Sequence, residues 1–509
     1  MTANFANTIF LLAYDRGKVC LRMDENGIKG EDYLKKIIQV SFTLPNPDPQ
    51  DLFKILFQDI DASIQGFDEK YWDDVRWGNL FQSGFRSLFP TIRDIKRYIS
   101  SLRLDLAIIG KEEVNPIDFL GIEAIRVFAP DVYLTIADEK LAFTATNSMY
   151  FGSGNGRERE ERRKLCESII TQKSPQGLAS AISEIVKQLF PQVKGLYTNT
   201  HYGYDWQQEW RKNLQVCAED IFDKYFSLSI PSSTLSEKSL KDLLASVDDA
   251  AAFIKNLKTF QAEGKLRLIL DRLIDHLDGL TEQQKEKLII GIFDFCEGIK
   301  DRRLGILDVQ AVDDQTWRLG YQTLKRVSKE NRVAFLTGVL PATTSVYSPT
   351  QLIVMLDHEI ELHEKRESLE DPLMSKQEMG ELKKVCIDKI RAAAHEGTLV
   401  TNQHFDWLLL AWKDLDSEVP VKEYVTELIQ TTDGLLALLR GFEWESLSQS
   451  ADSRVSKRTK KMNKKALADF VDIHELDRRV QALPIEELSQ DDRETIKLYN
   501  APPDRFDRL

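Results

Sequence analysis

The sequence predicts an α/β N-terminal portion carrying two or so parallel strands, followed by a mainly α-helical remainder. Three observations predict it. Two short apolar runs, residues 9–14 (IFLLAY) and 37–42 (IIQVSF), are each bounded by polar residues, the pattern of strands buried on both faces. A helical segment stands between them and another follows, and strand, helix, strand, helix implies a parallel sheet. Beyond residue 48 the apolar residues recur at three- and four-residue intervals almost to the end of the chain.

Taken in order, Tyr33 to Lys36 reads as the end of a short helix, and the second apolar run follows directly. Pro45, Pro47 and Pro49 punctuate the chain after it. Asp48 then suits an N-cap with Pro49 at the first helical position, and Leu52, Ile55, Leu56, Ile60 and Ile64 mark one helix face. Residues 63–104 read as helical with aromatic anchors, and a further helix begins at an Asn115 cap with Pro116 inside it. In TIRDIKRYISSLRL, Thr91 and Asp94 suit a helix start, Ile92, Ile95, Ile99 and Leu102 form the apolar stripe, and Arg93, Lys96 and Arg97 gather on the adjoining flank. Three cations there offer a phosphate-facing surface, because guanidinium groups pair well with phosphate oxygens; a solvated helix face is the alternative.

The apolar pattern stops around YFGSGNGRERE, where Gly152, Gly154 and Gly156 read as a flexible linker rather than a phosphate loop, since no buried strand leads in and no Lys-Ser/Thr pair follows. Domain boundaries are therefore expected at 1–150, with 151–160 as linker, 161–445 as helical domain or domains, and 446–509 as a basic, partly disordered tail with short helices.

A chain of 509 residues with 42% hydrophobic content can bury substantial cores. Its net charge of −13 gives no global reason to expect nucleic acid as a partner. The basic run Arg454, Lys457, Arg458, Lys460, Lys461, Lys464 and Lys465 lacks interleaved aromatics and reads as a solvated tail. Five scattered cysteines without a CxxC pair suit reduced thiols and a cytoplasmic location. No apolar stretch approaches the roughly 20 residues of a membrane helix. His358 and His363 stand five apart, not the four that place both imidazoles of a zinc HExxH motif on one helix face.

No Walker A loop is present: the Gly-Lys pairs at Gly17, Gly110 and Gly264 have Leu12, Asp105 and Thr259 where the first glycine is required, and none precedes Ser or Thr. IFLLAYD could pass for a Walker B strand ending in Asp15, but Arg16 rather than a second acid follows it. A neighbouring strand whose polar end senses a terminal phosphate fits those residues better.

The segments NTIFLLAYDRGKV, YLKKIIQVSFTLP and TIRDIKRYISSLRL, in that order, resemble the C-terminal half of the KAP family of P-loop NTPases, relatives of the AAA+ and STAND switch ATPases. The later EWRKNLQVCAEDIFDKYFSLSIP is similar to the segment that opens the helical region in bacterial members. The resemblance implies a P-loop sheet remnant with lid helices over 1–150. It places Asp15 and Arg16 at the end of the strand after Walker B, and Arg93, with Lys96 and Arg97, on the lid helix that reads the nucleotide. No catalytic or metal residue is assigned. Lys35 stands where the family commonly carries an acid. ATP and Mg are implied for the complete family domain and no cofactor for this chain alone.

The partner implied is the missing N-terminal half or a Walker-containing protein, with an oligomer compatible and no membrane. The resemblance thus describes a truncated product, a late start or a split ATPase that would not hydrolyse ATP by itself, in a family whose bacterial members are linked to phage exclusion. A nucleotide-independent helical scaffold is the alternative.

Overall fold

The computed structural model describes residues 9–24, 29–45, 47–146, 156–198, 200, 202–227, 234–299, 311–365, 371–449 and 456–501. Helices make up 74% of the structure, and among the described residues the only sheet is one two-stranded hairpin. The helices begin where local chemistry places them. Asp48 accepts the Gln50 N–H at 2.8 Å and opens the Pro49–Ile64 helix, Thr91 accepts the Asp94 N–H and opens Ile92–Ile109, and Asn115 opens Pro116–Phe128. Capping boxes start Glu282–Cys296 and Lys376–His395, each satisfying two otherwise orphaned backbone donors. Gly110, at φ 92°, ends the Ile92–Ile109 helix in a conformation that costs a glycine nothing.

Three apolar cores follow one another along the chain. The first runs from Leu52 to Tyr225 and draws residues from both sides of segment 151–160. A ladder of rings, Trp77, Phe81, Phe85, Phe89 and Tyr98, crosses it with centroids about 5 to 6 Å apart, and the buried Tyr98 hydroxyl donates to Leu120 O at 2.9 Å. The second core spans Leu235 to Cys386 and the third Tyr347 to Tyr499. Residues 156–160 of the expected linker are the first turn of the Gly156–Lys173 helix, while 151–155 lie outside the described residues.

The two expected N-terminal strands are absent. Residues 9–15 and 38–45 are non-regular, with Ile9 and Leu11 94% exposed and Phe42 and Leu44 86% exposed. A strand buried on both faces needs neighbours for its N–H and C=O groups, and no described segment of this region pairs with these. Only the helices around them form: Arg16–Met23 and Gly30–Ile37 pack on each other so closely that a Cβ on Gly30 would lie 2.2 Å from Cys20 O. Their buried Leu34 joins none of the three cores.

Near the other end, Glu443–Gln449 and Ser456–Met462 pair antiparallel, with Glu443 opposite Met462. This hairpin falls where the sequence suggests a polar boundary and a basic run. Helices Ile473–Gln481 and Gln490–Tyr499 then return to the third core through Leu476, Val480, Ile496 and Tyr499.

Candidate functional site

The five residues singled out in the sequence divide into two groups. Asp15 does not end a strand; its carboxylate accepts the Lys18 N–H at 3.1 Å and caps the Arg16–Met23 helix, and Arg16 reaches Glu31 at 2.6 Å on the facing helix. Lys35, one turn into that partner helix, pairs with Asp32 at 3.2 Å. All these groups are exposed, so the pairs are worth a fraction of a kcal/mol at most.

Arg93, Lys96 and Arg97 do share a flank of the Ile92–Ile109 helix, as the spacing predicts. Lys96 and Arg103 both reach Asp59 on the Pro49–Ile64 helix, at 3.0 and 3.1 Å. Arg97 lies over the Phe128 ring at 4.9 Å and within 3.8 Å of Asp94. Arg93 makes no ion pair with any described residue, and its side chain is exposed. The trio is thus one unpaired cation beside two that stitch helices together.

The densest chemistry lies elsewhere, in a buried charge network where the first core meets the second. Lys224 contacts Glu113 at 2.7 Å and Glu237 at 3.3 Å; Glu237 takes both oxygens to the Arg272 guanidinium at 2.8 and 2.9 Å. Arg272 approaches Asp275, which is bound by Arg211 at 2.8 and 3.1 Å, and Arg211 also binds Asp271 and Asp220. Lys224, Glu237, Arg272 and Asp275 are almost completely buried. Burial works against the charge on Arg211, but Asp275 and Asp271 more than offset it and hold the guanidinium above its ordinary range. Burial likewise pushes the Glu113 carboxyl up, yet Lys224, the Glu237 N–H and the Ser236 hydroxyl hold it below its ordinary value.

Glu113 also caps a helix whose own N-cap residue does not. Ser236 stands at the N-cap of Glu237–Ala245 without a side-chain cap bond, and Glu113, from the loop after Ile92–Ile109, accepts the Glu237 N–H in its place. A second junction is built the same way. Glu297 accepts from the backbone N–H groups of Val346 and Tyr347 and from Asn402, while Asp294 accepts from Thr343 and Thr344, binding the segment before Tyr347–Lys365 to the end of Glu282–Cys296.

Three network members, Arg211, Asp220 and Lys224, fall in EWRKNLQVCAEDIFDKYFSLSIP, where they were not singled out. The available signal was charge at positions flanked by buried apolar residues, such as Arg211 between Trp210 and Leu214. Among the described residues no cluster of His, Cys, Asp or Glu could hold a metal ion, and His358 and His363 ride on the Tyr347–Lys365 helix. All five cysteines are free thiols, four of them buried. No described helix is long and apolar enough to cross a membrane.

Fold and junctions together define a mainly helical protein of serial cores joined by buried ion pairs. Its N-terminal residues 1–108 match the family model of the KAP family P-loop domain, which supports a P-loop NTPase-related protein. No curated protein and no solved structure matches the chain.

Proposed function

We propose that this chain is the lid-side and helical effector portion of a KAP-type ATP-dependent switch, acting with a Walker-containing sheet that it does not itself carry. The observation that carries the reading is the family match over 1–108 coinciding with strand-type sequence, residues 9–14 and 38–42, that forms no strand and is largely solvent-exposed. Nearly half of the exposed large apolar side chains among the described residues lie between 9 and 44. Unpaired strand-forming segments of this kind are completed by adding to a sheet edge, where backbone hydrogen bonds supply affinity and alternate side chains supply specificity. Arg93, exposed and without an ion pair to a described residue, is the group that would meet the nucleotide's terminal phosphates, with Asp15 and Arg16 near the strand end.

ATP and Mg belong to the completed assembly. By itself the chain lacks the phosphate cradle, and with it the positioning and charge stabilisation on which phosphoryl transfer depends. A role in phage defence rests on the resemblance alone. The test is an ATPase assay on purified residues 1–509. Background hydrolysis is expected, together with hydrolysis that appears on adding a Walker-containing partner and is reduced by Arg93→Ala. Robust hydrolysis by the chain alone, abolished by Arg93→Ala, overturns the reading.

A nucleotide-independent helical scaffold is favoured instead by the engagement of Lys96 with Asp59 and of Arg97 with Phe128 and Asp94. A chain whose calorimetric titration with ATP stays flat, with and without a Walker-containing partner, supports that alternative.

A further inference from the structure

The basic run near the C-terminal end has no aromatic residue of its own, but the fold supplies one from the opposite strand. Glu443–Gln449 pairs with Ser456–Met462 so that Trp444 stands directly across from Lys461, and the Lys461 ammonium lies 5.6 Å from the centre of the indole ring. Successive strand positions alternate between two faces, so the register sorts the charges of the hairpin. Met462, buried in the third core, marks the inner face, where the register also puts Glu443, Glu445, Arg458 and Lys460. Both acids of the two strands are on that side, and Lys460 pairs with Glu443 at 3.4 Å.

Trp444, 44% exposed, marks the outer face. The positions that share it by register are Ser446, Ser448, Lys457, Thr459 and Lys461. One indole, two lysines and three hydroxyl residues therefore lie along one side of the ribbon, and none of its six positions is an acid. Each seven-residue strand spans roughly 20 Å, long enough to follow a short stretch of an extended polymer. Just beyond, Asn463 caps the Lys464–Leu467 turn, which adds the exposed Lys465 and Lys464, whose ammonium lies 4.3 Å from the Tyr499 ring centre.

We propose that this face of the hairpin binds single-stranded nucleic acid. Lys457, Lys461 and Lys465 meet backbone phosphates, the Ser and Thr hydroxyls donate to phosphate oxygens, and a base stacks on Trp444 beside Lys461. An acidic peptide would use the cations and leave the indole without a flat partner. A duplex presents phosphates but keeps its bases stacked on one another, so only a single strand engages both the charges and the ring. The surface lies beyond residues 1–108 and does not depend on the reading of that segment.

The test is fluorescence anisotropy of the full chain with labelled oligo-dT, oligo-rU, a DNA duplex of the same length and poly-glutamate in separate arms. Saturable binding to either single strand supports the proposal, and the ratio of the two assigns the sugar. With three phosphates contacted, affinity is expected to fall about twentyfold between about 50 and 200 mM salt. Lys457→Gln and Lys461→Gln should each flatten the logarithmic salt slope by about 0.7. Trp444→Leu should weaken binding about tenfold and leave that slope unchanged, which separates stacking from charge. Lys258→Gln, on the exposed side of Ala250–Ala262 in the second core, should change nothing. Circular dichroism establishes that each variant is folded. The proposal is overturned by the absence of saturable single-strand binding at low salt, by duplex or poly-glutamate binding as tightly as the single strands, or by unchanged affinity in folded Lys457→Gln and Trp444→Leu.

Discussion

The Glu113 carboxylate accepts the backbone N–H of Glu237 through both of its oxygens at 3.0 Å, across 124 residues of sequence, while the same carboxylate holds the Lys224 ammonium at 2.7 Å. One side chain of the first core thereby caps the first helix of the second core and neutralises a buried cation between them. Glu113→Gln keeps the shape and removes the charge. Breaking a buried pair typically costs about 3 to 5 kcal/mol, and because Glu237 remains beside Lys224 the lower end is expected. Urea denaturation should show the loss, and hydrogen exchange should show early opening of Glu237–Ala245; an unchanged midpoint would remove the junction's claim to stability.

His276 gives the junction a pH dependence with a definite sign. Burial, and then the nearby Arg272, push the imidazole down to about 4 from its usual 6.5, and its Nε2 has no hydrogen-bond partner among the described residues. Between those pH values the unfolded chain binds a proton that the folded chain refuses. The contribution is therefore intact above pH 6.5 and is lost as pH falls toward 4, by up to about 3 kcal/mol. Stability measured against pH for the wild type and for His276→Gln should diverge in slope over that window, and parallel curves would count against it.

Gly84 reports on packing across segment 151–160. A Cβ there would lie 2.3 Å from Ala181 O, so Gly84→Ala must push apart the end of Asp74–Ser83 and the start of Ala179–Leu189, at about 1 to 3 kcal/mol. Gly380, inside Lys376–His395 with nothing within 4 Å of its Cβ position, is the control. Gly380→Ala should stabilise by about 0.5 to 1 kcal/mol through helix propensity. Thermal midpoints moving in opposite directions are the expected outcome.

Leu11, exposed and outside the cores, should tolerate a charge. Leu11→Asp is expected to leave stability within about 0.5 kcal/mol of the wild type and to reduce light scattering at high concentration, because it breaks an apolar run open to association. A large loss of stability would place residue 11 in a core that the fold does not show.

Much of the helical architecture was legible in the sequence because helices are specified locally. Asp48 with Pro49, Thr91 with Asp94 and Asn115 with Pro116 each begin a helix where their side chains satisfy nearby N–H groups. The same apolar density that marks residues 9–14 as strand-forming did not produce a strand, because a strand's hydrogen bonds lie in another segment. The flank of Arg93, Lys96 and Arg97 was readable from helical spacing, but its occupation by Asp59, Asp94 and Phe128 was not.

By itself, then, the sequence determined where helices start, which faces they bury, and that residues 1–108 carry the KAP-type pattern. Only the tertiary structure decided that Glu113 caps a helix 124 residues away, that Arg211 and Arg272 share Asp275, and that Arg159 and Arg162, among the described residues, donate to backbone carbonyls. The physical reason is range. Capping and helical periodicity act within a few residues, whereas the partner of a buried charge is chosen by whatever the packed helices bring alongside it.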